Sequence, residues 1–385
     1  MHYIQPRILC LLFLLLSAGP VQADEVGVTP ERILFGQAAA LSGPSSALGL
    51  KMRQGILAAF AEVNARGGVH GRKLELISRD DGYDPDRSVL QTVKLLNEDK
   101  VFALIGAVGT PTSLVTVPIA KDKNVPFIGP FTGAGFLRER GLDNVVNIRA
   151  SYSAEAEAWV KHLTEDRHIK HIAIFYQDDS YGQDGLAGVK AALEKRGMEL
   201  AAEATYERNT EAVGMAMRVL KRAEPEAVVM VGTYAPCAEF IKLARQNGFN
   251  PVFVNISFVG ADALSQELGR DGEGVIVSQV VPFPWDASVK VVADYQSAEK
   301  ALDPNLLPDF VSLEGYLSGR LAAAALEMAG ADPTRAEMLR IINEVGQFDI
   351  SGDHLTVGQK MRDAPAGVFL TLIQPDGTFK AIDSL

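Results

Sequence analysis

The stretch Val101-Phe102-Ala103-Leu104-Ile105-Gly106-Ala107-Val108-Gly109-Thr110-Pro111-Thr112-Ser113 decides the fold. Its first eight residues carry no polar side chain, so they read as a strand covered on both faces rather than one with a wet side. A glycine, a threonine suited to cap a helix and a proline suited to the first helical turn follow at once. The chain therefore passes from a buried strand straight into a helix, the repeating unit of a parallel sheet with helices on both faces.

The same unit recurs in both directions. Apolar, β-rich runs occupy 33–41, 74–78, 125–128, 171–176, 227–231, 252–256 and 275–281. Between them apolar residues return at helical spacing, as at Ile56, Ala59, Phe60 and Val63, at Ala156, Trp159, Val160 and Leu163, and at Val213, Ala216, Met217 and Leu220. Gly67-Gly68 and Gly197 sit where helices end. The alternation runs twice, once to about Asn147-Ile148-Arg149 and again from about Ser151 to Val281. After Pro282-Phe283-Pro284 the pattern is helical, with Leu317, Leu321, Ala324, Ala325 and Met328 on one face. A last strand pair, 368–373 and 379–382, brackets the turn Pro375-Asp376-Gly377. Helices that follow the second set must pack somewhere, so the chain is expected to return to the first lobe and cross again. The predicted architecture is α/β, two doubly wound lobes joined by a hinge of several strands: 24–150 with 284–348, and 151–283 with 349–385.

At the N-terminus Arg7 precedes the apolar stretch 8–16, followed by Ser17, Gly19, Pro20 and Val21-Gln22-Ala23. This reads as a cleavable export signal with the mature chain starting at Asp24, since the apolar core is far shorter than the roughly 20 residues needed to span a bilayer. Cys10 lies inside that core after Arg7-Ile8-Leu9, not in a small-residue lipidation box. Removing 23 of 385 residues leaves 362, enough for two domains. Cys237 is then the one cysteine, so no intrachain disulfide is expected and the thiol reads as a buried apolar group. Net charge goes from −11 to −12 with the loss of Arg7, which argues against nucleic acid and anionic membranes as partners.

Several ordered motifs resemble one family. Leu41-Ser42-Gly43-Pro44, Asn64-Ala65-Arg66-Gly67-Gly68-Val69-His70-Gly71-Arg72-Lys73-Leu74 and Asp80-Asp81-Gly82-Tyr83-Asp84-Pro85 are similar to the branched-chain amino acid binding proteins, type I periplasmic substrate-binding proteins of ABC importers. Ile105-Gly106, Tyr181-Gly182, Gly248 and Asp376-Gly377-Thr378 extend the match over nearly all of the mature chain. The resemblance implies two Rossmann-like lobes joined by three crossings, no catalysis and no cofactor. It also implies a periplasmic location, a small-molecule ligand, and permease subunits in the inner membrane as partners of a monomeric protein.

In open parallel sheets, ligands bind beyond the carboxyl ends of the strands, where helix N-termini present free amides. Gly109 and Thr110 stand at such a point. Thr110 either caps its helix or meets a ligand carboxylate, and the resemblance favours the second, since family members hold the carboxylate at this loop. The run 125–128 ends in Gly129-Pro130-Phe131-Thr132-Gly133-Ala134-Gly135, glycine-rich enough for close backbone approach. The resemblance puts Phe131 and Gly133 where main-chain groups face the ligand, with the Thr132 hydroxyl there if the register slips by one. It puts Tyr181 and Tyr234 where aromatic rings close over the bound molecule. Tyr152, Ser42, Leu48 and Phe310 are rim candidates. Amino-acid binders of the family place an acidic side chain, partner of the ligand's ammonium, where this chain has Ser257. An ammonium left without a charged partner costs several kcal/mol. A carboxylate without an α-amino group is therefore the expected ligand, unless Asp178 or Asp179 replaces the missing charge.

Enzymatic readings find little support. Gly182, Gly185 and Gly188 lack dinucleotide-loop spacing, and no Walker lysine or G-x-S-x-G motif is present. His162, His168 and His171 read as solvated surface, and Asp80, Asp81, Asp84 and Asp86 resemble a calcium loop only in charge. A ligand-sensing protein acting through a separate receptor would share the same fold.

Overall fold

A computed structural model describes residues 25–357 and 367–382. The export signal and Asp24 lie outside the described residues, and no helix among those described is long and apolar enough to cross a membrane.

The first half folds as β1 (Arg32–Ala39), α1 (Ser46–Ala65), β2 (Lys73–Asp80), α2 (Pro85–Asn97), β3 (Ala103–Ile105), α3 (Thr110–Asp122), β4 (Phe127–Ile128) and β5 (Val145–Val146). Its sheet has the order β2-β1-β3-β4-β5, every pair parallel. The second half runs α4 (Tyr152–Lys161), β6 (Ile172–Gln177), α5 (Ser180–Glu194), β7 (Ala202–Tyr206), α6 (Gly214–Ala223), β8 (Ala227–Val231), α7 (Tyr234–Gln246), β9 (Val252–Asn255), α8 (Ala261–Leu268) and β10 (Ile276–Gln279). There follow α9 (Lys290–Leu302), α10 (Phe310–Ala329), α11 (Arg335–Val345), the antiparallel hairpin β11 (Gln347–Ile350) with β12 (Asp353–Thr356), and β13 (Phe369–Ile373) with β14 (Phe379–Ala381). The second sheet has the order β14-β13-β10-β9-β8-β6-β7, with β13 and β14 its antiparallel edge.

Both faces of the central strand β1 are dry, as its apolar run requires, while the edge strand β2 is half-exposed. Ile33, Phe35 and Ala39 of β1 face one core and Leu34 and Ala38 face the other, against Leu95, Leu104, Val117 and Phe127. The deciding run 101–108 supplies only three regular strand residues, but an isolated bridge between Val108 and Phe131 carries the pairing on to the strand's exit.

Both sheets reverse direction at their first strand. From β1 the chain moves out to β2, then back across to β3; from β6 it moves to β7, then across to β8. Such reversals open a crevice at the strand ends. The loops leading to α1 and α3 flank one crevice, and those leading to α5 and α7 flank the other.

Helices α9 and α10 pack on α1, and β11 contacts α10. The contact of α1 with α10 is backbone to backbone. A Cβ added at Gly55 would strike the Ser312 carbonyl, one at Gly315 the Met52 carbonyl, and one at Gly319 would sit 2.7 Å from Ala59 Cβ.

Cys237 is buried, as predicted, and burial pushes its thiol well above the usual range. His162 departs from the surface reading. It is buried, and its ring nitrogen Nδ1 lies 3.0 Å from Asp166, one turn on, because a π-helical turn at His162–Asp166 rotates it inward; His168 and His171 are exposed. Among the described residues no group of His, Cys, Asp or Glu could hold a metal ion.

Candidate functional site

At the exit of β3, Gly109 rather than Thr110 is the helix cap. It takes φ +104°, a backbone region that glycine occupies without strain, and a Cβ there would run into the Tyr83 ring. Thr110 is instead the first residue of α3, and its hydroxyl is not spent on capping. It lies 2.7 Å from the Thr132 hydroxyl, which donates to the Tyr152 phenol oxygen at 3.1 Å. All three residues are buried, so a chain of neutral hydroxyls runs from the first lobe to the start of α4.

The main-chain groups of Phe131 already have protein partners. Its amide donates to Ala107 O at 2.7 Å and its carbonyl accepts from Gly109 at 3.1 Å, both within the first lobe, because Phe131 prolongs the sheet through Val108. What Phe131 offers is its ring. The Gly133 carbonyl accepts from Tyr152 N at 2.9 Å, and a side chain at Gly133 would collide with that tyrosine.

The rings of Tyr83, Phe131, Tyr152, Tyr181 and Phe258 form one cluster across the two halves. Phe258 lies 5.2 Å from Phe131, 4.7 Å from Tyr181 and 6.1 Å from Tyr83, and Tyr152 lies 5.4 Å from Tyr181. The Tyr181 hydroxyl donates to Gly232 O at 3.2 Å. Hydrogen bonds also join the two halves directly: Gln177 donates to the Tyr83 phenol oxygen at 3.2 Å, Asn209 to Gly82 O at 3.1 Å, Ala47 N to the Tyr234 phenol oxygen at 3.4 Å, and Gly135 N to Asp184 at 3.2 Å.

The rim residues divide. Leu48 is buried beside Gly260 of the opposite half. Ser42 is committed to its own lobe, donating to Asp80 at 2.6 Å. Burial pushes the Asp80 carboxyl up, but the bonds from Ser42, Leu41, Gly82 and Arg87 outweigh it and hold the group down at about 2. These aspartates organise a loop: Asp81 accepts from Tyr83 N and Ser88, and Asp84 caps α2. Phe310 belongs to a separate cluster with Phe283, Trp285 and Phe379, and its amide reaches Asp262 of α8 at 3.4 Å.

Ser257 is the entry to a charged cluster. Its hydroxyl accepts from Arg149 Nη2 and donates to Glu155 Oε1 at 3.0 Å, and its amide donates to Glu155 Oε2 at 2.9 Å. Ser278 also donates to Glu155. A carboxylate thus does sit at the Ser257 position, supplied by α4 and already holding three donors. Arg149 stands 3.8 Å from Glu155 and 3.7 Å from Glu314 of α10, with its guanidinium 4.7 Å from the centre of the Phe131 ring. Burial alone would lower the Arg149 pKa; Glu314 and Glu155 reverse that and hold it charged. Burial pushes the Glu314 carboxyl up to about 7. Neither Asp178 nor Asp179 supplies a free charge: Asp178 is exposed, and Asp179 caps α5 and binds Gln177 and Arg208.

The structure therefore gathers Gly109, Thr110, Phe131, Thr132, Gly133, Tyr152, Tyr181 and Ser257 around one centre, places Tyr234 and Leu48 at a neighbouring contact between the halves, and leaves Ser42 and Phe310 outside. Tyr83, Arg149, Glu155, Phe258 and Glu314 belong to the centre and were not among the residues predicted. An arginine at the end of an apolar run was the one signal in the sequence, since such a charge needs partners.

A family model described as periplasmic binding protein matches residues 33–374. The leucine-, isoleucine-, valine-, threonine-, and alanine-binding protein of Pseudomonas aeruginosa is 27% identical over 312 residues, covering 80% of this chain and 82% of its own. A crystal structure of a possible leucine/isoleucine/valine-binding protein from Rhodopirellula baltica superimposes with a TM-score of 0.86 at 40% identity, covering 94% of this chain and 98% of that one. A substrate-binding periplasmic protein from Ralstonia solanacearum gives 0.85 at 26% identity, covering 91% and 100%. These relatives bear the names of binding proteins, and a leucine binding protein from Thermotoga maritima, at TM-score 0.81 and 19% identity, shares the fold. The predicted α/β architecture of two doubly wound lobes is thereby the type I periplasmic binding fold, and the chain belongs to the periplasmic binding protein family.

Proposed function

We propose that this protein is a periplasmic solute-binding component of an ABC importer. It captures a small carboxylate-bearing molecule, an amino acid or an aromatic or aliphatic acid, between its lobes and presents the closed complex to permease subunits in the inner membrane. The first lobe comprises the β2-β1-β3-β4-β5 sheet with residues 284–348, and the second the larger sheet. The observation that carries this reading is the meeting of the two crevices. Tyr83, beyond β2, and Phe131, at the exit of β4, touch Phe258 at the exit of β9, whose ring also meets Tyr181 at the exit of β6, so a molecule held there contacts both lobes. A ligand shifts a hinge equilibrium only through such differential contacts.

The test is a thermal-shift panel of organic acids and amino acids, followed by small-angle scattering with and without the compound that stabilises most. A smaller radius of gyration on binding supports capture by closure. An unchanged radius, with crystals placing the compound on one lobe beside an open cleft, refutes it.

A further inference from the structure

We propose that Arg149 is the anion anchor of the cleft, its Nη1 donating to the carboxylate of a ligand that carries no α-ammonium group. The inference rests on the reading of the protein as a solute-capturing one and names the chemistry of that site.

Arg149 is 1% exposed and lies in the connection between the two sheets, with its guanidinium between a first-lobe ring, Phe131, and a second-lobe hydroxyl, Ser257. Its Nη2 is committed to Ser257. Its Nε faces Glu314 Oε1 at 3.7 Å, beyond hydrogen-bond reach, and neither Nε nor Nη1 has a hydrogen-bond partner among the described residues. Buried donors are almost always bonded, and a charged one without a partner is expensive. A carboxylate accepting from Nη1 supplies the missing bond in its strong, charge-assisted form.

The acidic groups around it decide against an ammonium. Glu155 already accepts from Ser257 N, Ser257 Oγ and Ser278 Oγ. Glu314 Oε1 is unpartnered, but burial brings its carboxyl up to about 7 despite Arg149 and Arg138, with Glu155 adding to the rise. An anion on Arg149 raises it further, so binding takes up a proton. Acid affinity is then flat below the free-state value of about 7 and falls as pH rises above it.

Calorimetric titration of the full protein with two matched sets tests this: isocaproate, its primary amide and leucine; hydrocinnamate, its primary amide and phenylalanine. The acids are expected to bind at least about tenfold more tightly than amide or amino acid. In Arg149→Met the acid-to-amide ratio collapses toward one, whereas Arg149→Lys, which keeps the charge and folds more readily, retains part of it. In Glu314→Gln the fall of acid affinity above pH 7 is expected to disappear; a fall that persists overturns the linkage to Glu314. Tighter binding of leucine or phenylalanine overturns the inference and leaves solute capture standing. So does an equal loss of acid and amide binding in both Arg149 variants, the mark of a purely structural arginine. No binding by any compound, with no closure, would count against both readings.

Discussion

The two sides of the cleft solve the same geometric problem with different chemistry. The first lobe brings Thr110 and Thr132 to strand exits, bonded directly to each other, and Tyr152 of α4 extends them into a neutral hydroxyl chain. The connection and the second lobe bring Arg149, Glu155 and Ser257, and α10 adds Glu314, into a buried ionic cluster. Neutral hydroxyls cost less to bury than charges, about 1–3 kcal/mol when one is left without a partner. Buried charges are expensive singly and tolerable only together. The hydroxyl side can therefore vary with little damage to the fold, while the ionic side binds specificity to stability.

Glu155→Ala breaks that contrast most directly. It removes one of the two carboxylates beside Arg149 and the shared acceptor of Ser257 and Ser278, and a loss of about 3–5 kcal/mol is expected in chemical denaturation. A loss below about 1 kcal/mol would place the cluster in the same class as the hydroxyl chain. Gly109→Ala comes next. A φ of +104° and the Tyr83 ring both oppose a Cβ, so about 2–3 kcal/mol should disappear from the melting curve. A neutral result would mean that Tyr83 swings away freely.

Thr110→Ala tests the hydroxyl side itself. Stability should fall by only about 1 kcal/mol, while the affinity of carboxylate ligands falls by about 1–3 kcal/mol in calorimetric titration. Lowered stability at unchanged affinity would make Thr110 a packing residue. The smallest effect is expected for Arg32→Ala, which removes a pair with Glu75 whose side chains are 47% and 44% exposed. A change under about 1 kcal/mol, further reduced by salt, would confirm that burial rather than pairing sets the scale of the ionic cluster.

The fold was legible because its signals are local. An apolar run followed by Gly109, Thr110 and Pro111 announces a strand and a helix start within a dozen residues, and the structure moves the cap by only one position. Tyr181 and Thr110 were legible for the same reason, each beside the strand exit it serves. The ionic cluster was not, because Arg149 meets Ser257 108 residues away and Glu155 meets the same serine across 102. Ser257 carries no acid of its own; that another helix delivers a carboxylate to the same point is a property of packing, invisible along the chain. Phe131 shows the converse: the bonds of its main chain to Ala107 and Gly109 follow from the bridge to Val108, a pairing that no local pattern announces.

The glycine contact of α1 with α10 leaves no side-chain cushion between the two helices, so they can neither slide nor separate without breaking backbone packing. Yet the N-termini of both reach the opposite lobe, α1 through Ala47 to Tyr234 and α10 through Phe310 to Asp262. They act as two tines of one fork. In the proposed closure the two helices move as one body, so both contacts are expected to form together.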